Sequence, residues 1–392
     1  MFISIFNMKL KYLLLSLLFS VTMITSLWAA NIYLLFGFSV FCWVVLPFDR
    51  CWDKTTIALF IFSILYLLIQ LINGNAVDSK FIQGAYLLAP VAFYRFGRFL
   101  FQYNMNDESR QKVLLSILLL YLTPLFIATF KDISLVGFIN ETRQLLGDVS
   151  NNQGALAATL YGLMASLGIG GVSVVFLRNQ HLFIKYSFVL LGIFSLISVI
   201  HLVNRTGLVI CVASLFLSFI ASTKMNIKKI IPAVFVCVIL YFLLDVFGVV
   251  SQDMKDAYNA RENDSSYDSS SAGGRTELWM DAVNNLIIQP FGWELKRYAH
   301  NLWLDIARVS GLCAFIPFVY ATIRLVKDSL KVIKYNKSHS GIILLTIVFA
   351  GMLNAAVEPT IDGSMLFFSI LMMLWGMMKQ VALESKSIHY QS

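Results

Sequence analysis

The chain has 392 residues, 58% of them hydrophobic and only 13% charged, with a formal net charge of +8 and a mean hydropathy of +0.74. Soluble globular domains carry about 25% charged residues, so this composition excludes an ordinary water-soluble fold and assigns the chain to lipid. The basic balance then reports orientation in a membrane, and no nucleic-acid partner is needed to explain it.

In chain order, apolar runs of roughly 17–24 residues recur, each long enough to cross a hydrocarbon core of about 30 Å as a helix. The expected spans are 12–30, 31–48, 55–72, 81–94, 113–130, 153–177, 186–203, 206–222, 230–250, 302–323, 341–357 and 363–379. The expected fold class is therefore an all-α polytopic membrane protein of about twelve transmembrane helices. The first run follows Lys9 and Lys11 and ends at Ala29 and Ala30, the outline of a cleavable leader. A second apolar run begins at once, which suits a hairpin better. With the N-terminus inside, about two thirds of the 30 Lys and Arg residues fall on one side, as cytoplasmic loops require.

This threading divides the chain into three parts: residues 1–250 with spans one to nine and a periplasmic loop at 131–152, a large partly helical periplasmic loop at 251–301, and residues 302–392 with the last three spans and a cytoplasmic tail. Cys42, Cys211, Cys237 and Cys313 fall in spans and Cys51 in a cytoplasmic loop, so no pair is placed for periplasmic oxidation. There is no C-x-x-C, H-E-x-x-H, Walker-type Gly-Lys-Ser/Thr loop or G-x-G-x-x-G, which argues against an energy-coupled pump.

The polar mass lies in 131–152 and 251–301. Within the second, ENDSSYDSSSAGG at 262–274 is short-chained, polar and Gly-terminated. Leu278, Trp279, Ala282, Val283, Leu286 and Ile287 then recur at helical spacing, an amphipathic helix suited to a membrane surface and ended by Pro290 and Gly292. His300 and Asn301 stand immediately before the tenth span.

Of the five histidines, only His300 lies in a periplasmic loop at a membrane boundary, where an imidazole is able to exchange a proton with a hydroxyl. The bland reading is a loop histidine bonded at a helix entrance. Arginines on the outer side oppose the orientation bias and so call for a reason. Arg205 sits in the tight turn VNRTG, where the alternative is snorkelling to lipid phosphate. Arg275 directly precedes Thr276, read as a helix N-cap, so that guanidinium and free backbone N–H groups would face one anion. Arg143, Arg261 and Arg297 add positive charge to acidic loops. Guanidinium groups hold diphosphate oxygens bidentately and keep their charge. Asp245 in the ninth span and Glu358 beside Pro359 are acids at membrane depth or its edge, and neither is given a role.

Three segments carry a resemblance. GGRTELWMDAVNNLIIQPFG followed by AHNLWLDIARVSGL, the span opening VNRTGLVICVASLFLSFI, and TRQLLGDVSNNQGALAATL occur in an order and on a common side that resemble the O-antigen ligase and polymerase superfamily. The resemblance covers roughly residues 135–380. Arg143 precedes Gly154 at a spacing similar to that of some O-antigen polymerases.

The resemblance implies a metal-independent glycosyltransferase with no cofactor, at the periplasmic face of the bacterial inner membrane. Its substrate would be an undecaprenyl-diphosphate-linked oligosaccharide, its surroundings membrane lipids, and a chain-length regulator protein an expected partner. By position, Arg143, Arg205 and Arg275 would bind the diphosphate, His300 would activate or position the acceptor hydroxyl, and Asn301 would orient the histidine or the sugar. Arg261 and Arg297 have no clear counterpart and rank lower as substrate-binding residues. The expected function is O-antigen polymerase, with O-antigen ligase as the alternative. A lipid-linked oligosaccharide flippase is a weaker reading, because the chain lacks internal repeats and midplane ionisable groups in matched halves.

Overall fold

A computed structural model describes residues 2–25, 31–46, 52–74, 77–104, 106–138, 158–177, 180–223, 275–293, 299–335, 338–358, 360–361 and 363–391. Among them, every regular element is helical: α1 (Phe2–Ile24), α2 (Asn31–Val45), α3 (Lys54–Ile72), α4 (Lys80–Tyr103), α5 (Asp107–Val136), α6 (Ala158–Gly171, continued by a 3-10 turn at Val172–Phe176), α7 (Leu182–His201), α8 (Arg205–Thr223), α9 (Arg275–Ile288), α10 (Leu302–Tyr335), α11 (His339–Ala355) and α12 (Met365–Gln391). Helices are what apolar spans of this length must form, because lipid offers the backbone no hydrogen-bond partner. α3, α5, α7, α10 and α12 contain stretches long and apolar enough to cross a membrane. The remaining expected spans coincide with other helices, except 230–250, which lies outside the described residues along with most of 251–301.

Polar contacts divide the bundle into two ends. At the first, Asp53 caps α3 by accepting from Thr56 N at 2.8 Å, and also accepts from Tyr94 Oη at 3.1 Å and pairs with Arg98 at 3.3 Å. Arg110 at the start of α5 forms a fork on Glu384 near the end of α12, at 2.6 and 2.7 Å. Asp107 accepts from the backbone of His339 and Ser340, where α11 starts. Asp328, late in α10, pairs with Lys331 and Lys379. These contacts join the starts of α3, α5 and α11 to the late turns of α4, α10 and α12, which is the alternation of an up-and-down bundle. The cations gathered here are those that the sequence assigns to the cytoplasmic side.

The centre is the pair α4 and α12. A Cβ at Gly97 would collide with the Met373 backbone, and one at Gly376 with the Tyr94 carbonyl. Two glycines thus let the helix backbones touch, the small-residue device of membrane helix pairs. Residues 91–101 of α4 are all buried, so this helix carries Arg95 and Arg98 away from lipid. The Arg95 guanidinium donates to Leu46 O at 2.8 Å and lies 5.4 Å from the Trp43 ring centroid.

Three elements depart from the sequence reading. α5 runs to Val136, past the expected end at 130, so the loop placed at 131–152 starts later. The tenth span straddles a break: Gly311 has φ 58°, dividing α10 into Leu302–Ser310 and a longer second segment. The turn after α9 fills that break, with Leu312 N donating to Pro290 O at 2.8 Å and Trp293 N to Arg308 O at 2.9 Å. Lastly, α9 turns Trp279, Ala282 and Leu286 toward protein, while Met280, Val283 and Ile287 form a separate exposed stripe. The single apolar face expected from spacing is two faces.

Candidate functional site

At the second end, the connection from α9 to α10 is fastened by its own side chains. Asn301 caps α10: its Oδ1 accepts from Trp303 N at 3.1 Å and Leu304 N at 3.2 Å. Its Nδ2 donates to Ala356 O at 2.8 Å, tying the start of α10 to the turn that follows α11. Asp305, fully buried one turn into α10, accepts from Ala299 N at 2.8 Å and Asn301 N at 3.1 Å. Those two bonds bracket His300, whose φ of 51° lies in the sparsely populated left-handed region. A carboxylate in a first helical turn is electrostatically favoured, and here it also fixes a strained residue of the kind often found at functional sites. Trp279 Nε1 donates to Ala299 O at 2.8 Å, bringing α9 against the same loop.

Glu358 stands between the two residues singled out for chemistry. Its Oε1 accepts from Arg275 Nη2 at 3.0 Å, and its Oε2 is 3.7 Å from His300 Nδ1. The glutamate side chain is 7% exposed, the arginine 17% and the histidine 35%. The glutamate is thus the most buried of the three side chains and the histidine the most exposed. α9 begins at Arg275, so Thr276 lies inside the first turn rather than capping it. The guanidinium engages Glu358 instead of standing free.

The other candidates divide by position. The backbone of Arg205 opens α8 at this end, although its side chain is not among those described. Asn204 just before it accepts from Gly207 N at 3.1 Å, and a Cβ at Gly162 of α6 would meet the Asn204 amide. Gly162 O accepts from Asn354 Nδ2 at 2.6 Å, and Asn354 is in the last turn of α11, four residues before Glu358. α8, α6 and α11 therefore converge beside the cluster. Arg143, Arg261 and Arg297 lie outside the described residues.

A second histidine–carboxylate pair stands at the ends of α5 and α7. His201 Nε2 is 2.8 Å from Asp132 Oδ2 and its Nδ1 is 2.8 Å from Phe138 O, with both side chains fully buried. With both ring nitrogens taken, it holds the end of α7 to that of α5.

Sequence reasoning missed Glu358 as a site residue. Its only signal was an acid beside Pro359 after an apolar run, and that signal names no partner. Asp305 was missed too, since a carboxylate four residues after Asn301 reads as ordinary helix-start chemistry.

Residues 190–293 match the family model Wzy_C, described as O-antigen ligase. The match runs from α7 through α8 to the turn after α9, and so includes Arg205, Arg261 and Arg275 and stops short of His300. It accords with the resemblance carried by VNRTG and GGRTELWMDAVNNLIIQPFG. No curated protein matches the chain.

Proposed function

We propose, with the O-antigen ligase family match as premise, that the chain is an O-antigen polymerase in the bacterial inner membrane. It would join undecaprenyl-diphosphate-linked oligosaccharide repeat units at the periplasmic face. The acceptor sugar hydroxyl attacks the anomeric carbon of the donor glycan, a new C–O bond forms, the bond to the diphosphate breaks, and undecaprenyl diphosphate leaves. The hydroxyl proton passes to the His300 imidazole, whose Nδ1 side faces Glu358. Glu358 then faces the imidazolium that forms, and Asn301 holds the loop that orients it. Arg275 and Arg205 offset charge developing on the leaving diphosphate, with Arg143, Arg261 and Arg297 as further contacts in the outer loops.

The observation that carries this reading is the convergence of Arg275, Glu358 and His300 from three separate elements at one end of the bundle. The opposite end of the bundle is rich in Lys and Arg, and reading that end as cytoplasmic supports a periplasmic setting for the cluster. The ligase reading is favoured by the description of the matching family model. The polymerase reading is favoured by the spacing of Arg143 and Gly154 and by the acids Asp253, Asp256, Glu262, Asp264 and Asp268 in the large loop. That field would repel a phosphorylated lipid A–core more than a single lipid-linked repeat.

Deletion of the gene distinguishes the two. Lipopolysaccharide carrying a core with one repeat is the expected result. A bare core, with long lipid-linked polymer accumulating, identifies a ligase instead.

A further inference from the structure

α9 presents three faces. Trp279, Ala282 and Leu286 turn toward the bundle. Glu277, Asp281 and Asn284, spaced i, i+4, i+7, form an exposed polar edge. Met280, Val283 and Ile287, spaced i, i+3, i+7, form an exposed stripe that is 62%, 49% and 77% exposed and contains no charge. A helix resting on its own domain in water needs only the first two faces. A third, apolar face beside a polar one is the pattern of a helix at a water–lipid boundary.

Two bonds say what covers the stripe. Beyond the end of α9, Phe291 O accepts from Asn73 Nδ2 at 3.0 Å, and Asn73 follows directly on the exposed apolar residues Leu71 and Ile72 of α3. Pro290 O accepts from Leu312 N at 2.8 Å, and Leu312 opens the exposed apolar row of α10 that continues at Ile316 and Tyr320. Both α3 and α10 are helices long and apolar enough to cross a membrane. The end of α9 nearest Ile287 is therefore anchored where the exposed apolar rows of these two helices begin and end. The other end of α9 is held at Glu358, just past the end of α11, so the helix lies across the end of the bundle rather than along its axis.

We propose that α9 is an interfacial helix whose Met280–Val283–Ile287 stripe is seated in the bilayer that the bundle spans, at the boundary of headgroups and acyl chains. This rests on the bundle being membrane-embedded, and not on the choice of polymerase or ligase. An amphipathic helix of this kind sinks about 5–10 Å into that boundary. Arg275, its first residue, is thereby carried at the height of lipid phosphates, so a lipid-linked diphosphate reaches it by lateral diffusion.

The test is depth-resolved fluorescence on the full chain in phosphatidylethanolamine/phosphatidylglycerol nanodiscs. A genetically encoded environment-sensitive fluorophore replaces Ile287, Asp281 or Leu71 in separate preparations. The label at 287 should emit at shorter wavelength than that at 281, and should be quenched several-fold more by spin-labelled lipid than by aqueous iodide, with the order reversed at 281. If 287 responds to iodide as 281 does, or to neither quencher, the stripe faces water or another protein surface and the proposal is overturned. The label at Leu71 separates the premises: lipid quenching at 71 without it at 287 sinks only the docking of α9, and no lipid quenching at 71 sinks the membrane reading itself.

Discussion

Glu358 gives the candidate site its shape, because it is hydrogen-bonded to the Arg275 guanidinium and stands 3.7 Å from the His300 ring. Glu358→Gln keeps the side-chain volume and an acceptor for Arg275 and removes the charge facing His300. Glycan elongation in a complementation assay should fall about a hundredfold to ten-thousandfold, comparable to His300→Ala, if the imidazole is a general base that the acid supports. Membrane levels of both variants should stay normal. Near-normal elongation in either would return His300 to the role of a loop histidine. Arg275→Lys should also be impaired, since a point charge cannot reproduce the guanidinium fork on a diphosphate. His201 behaves differently: both ring nitrogens are engaged and the pair with Asp132 is fully buried. Breaking a buried pair costs about 3–5 kcal/mol. His201→Ala should therefore lower the thermal midpoint of the detergent-solubilised protein, whatever it does to turnover. The sequence reading assigned His300 and Arg275 to one side of the membrane but had no means of pairing them through Glu358, because that contact joins the start of α9, the loop before α10 and the turn after α11.

At the level of elements, the break at Gly311 decides where the site stands. Residues Leu302–Ser310 form a short outer segment ahead of it, and the 290–293 turn docks into the gap. An apolar run that contains one glycine reads as a continuous span, so the sequence merges the two pieces. Gly311→Ala would put a Cβ against the Pro290 carbonyl at a φ of 58°, strained and crowded at once. Left-handed strain in a non-glycine residue costs about 1–3 kcal/mol. The expected outcome is faster amide exchange at Trp293 and Leu312, whose bonds define the docked turn; unchanged protection there would mean that the turn is held by other contacts. Hydropathy was better at showing where helices lie than where they end, because an apolar run does not mark the polar extensions of α5 past 130 or of α10 past 323. Asp53, Asn106 and Ser338 each accept a backbone N–H of their own first turn, caps that an apolar run does not single out.

For the whole molecule, the asymmetry of cations along the chain predicts its threading. A reporter fused at Lys337 should read cytoplasmic and one at Ser270 periplasmic. A cytoplasmic signal at Ser270 would place Arg275 and His300 on the wrong side for a lipid-linked donor. That expectation rests on summed charge and not on any single contact. What stayed hidden is the role of α4. By composition it is a weak span, with Arg95 and Arg98 in its second half. In the folded chain it is the buried centre, and its closest partner is α12.

That partnership imposes an order on biogenesis. α4 leaves the ribosome well before α12, and at about 5–20 residues per second the interval is on the order of tens of seconds. Throughout it, the glycine surface of α4 lacks the helix that packs on it, while Arg95 and Arg98 have Leu46 and Asp53 already made. A nascent chain at this stage is a substrate for quality control rather than a folding intermediate at rest. A chain stopped at residue 360 keeps every residue of the proposed site yet should be cleared rapidly in a pulse-chase experiment. Supplying α12 as a separate polypeptide should restore its half-life.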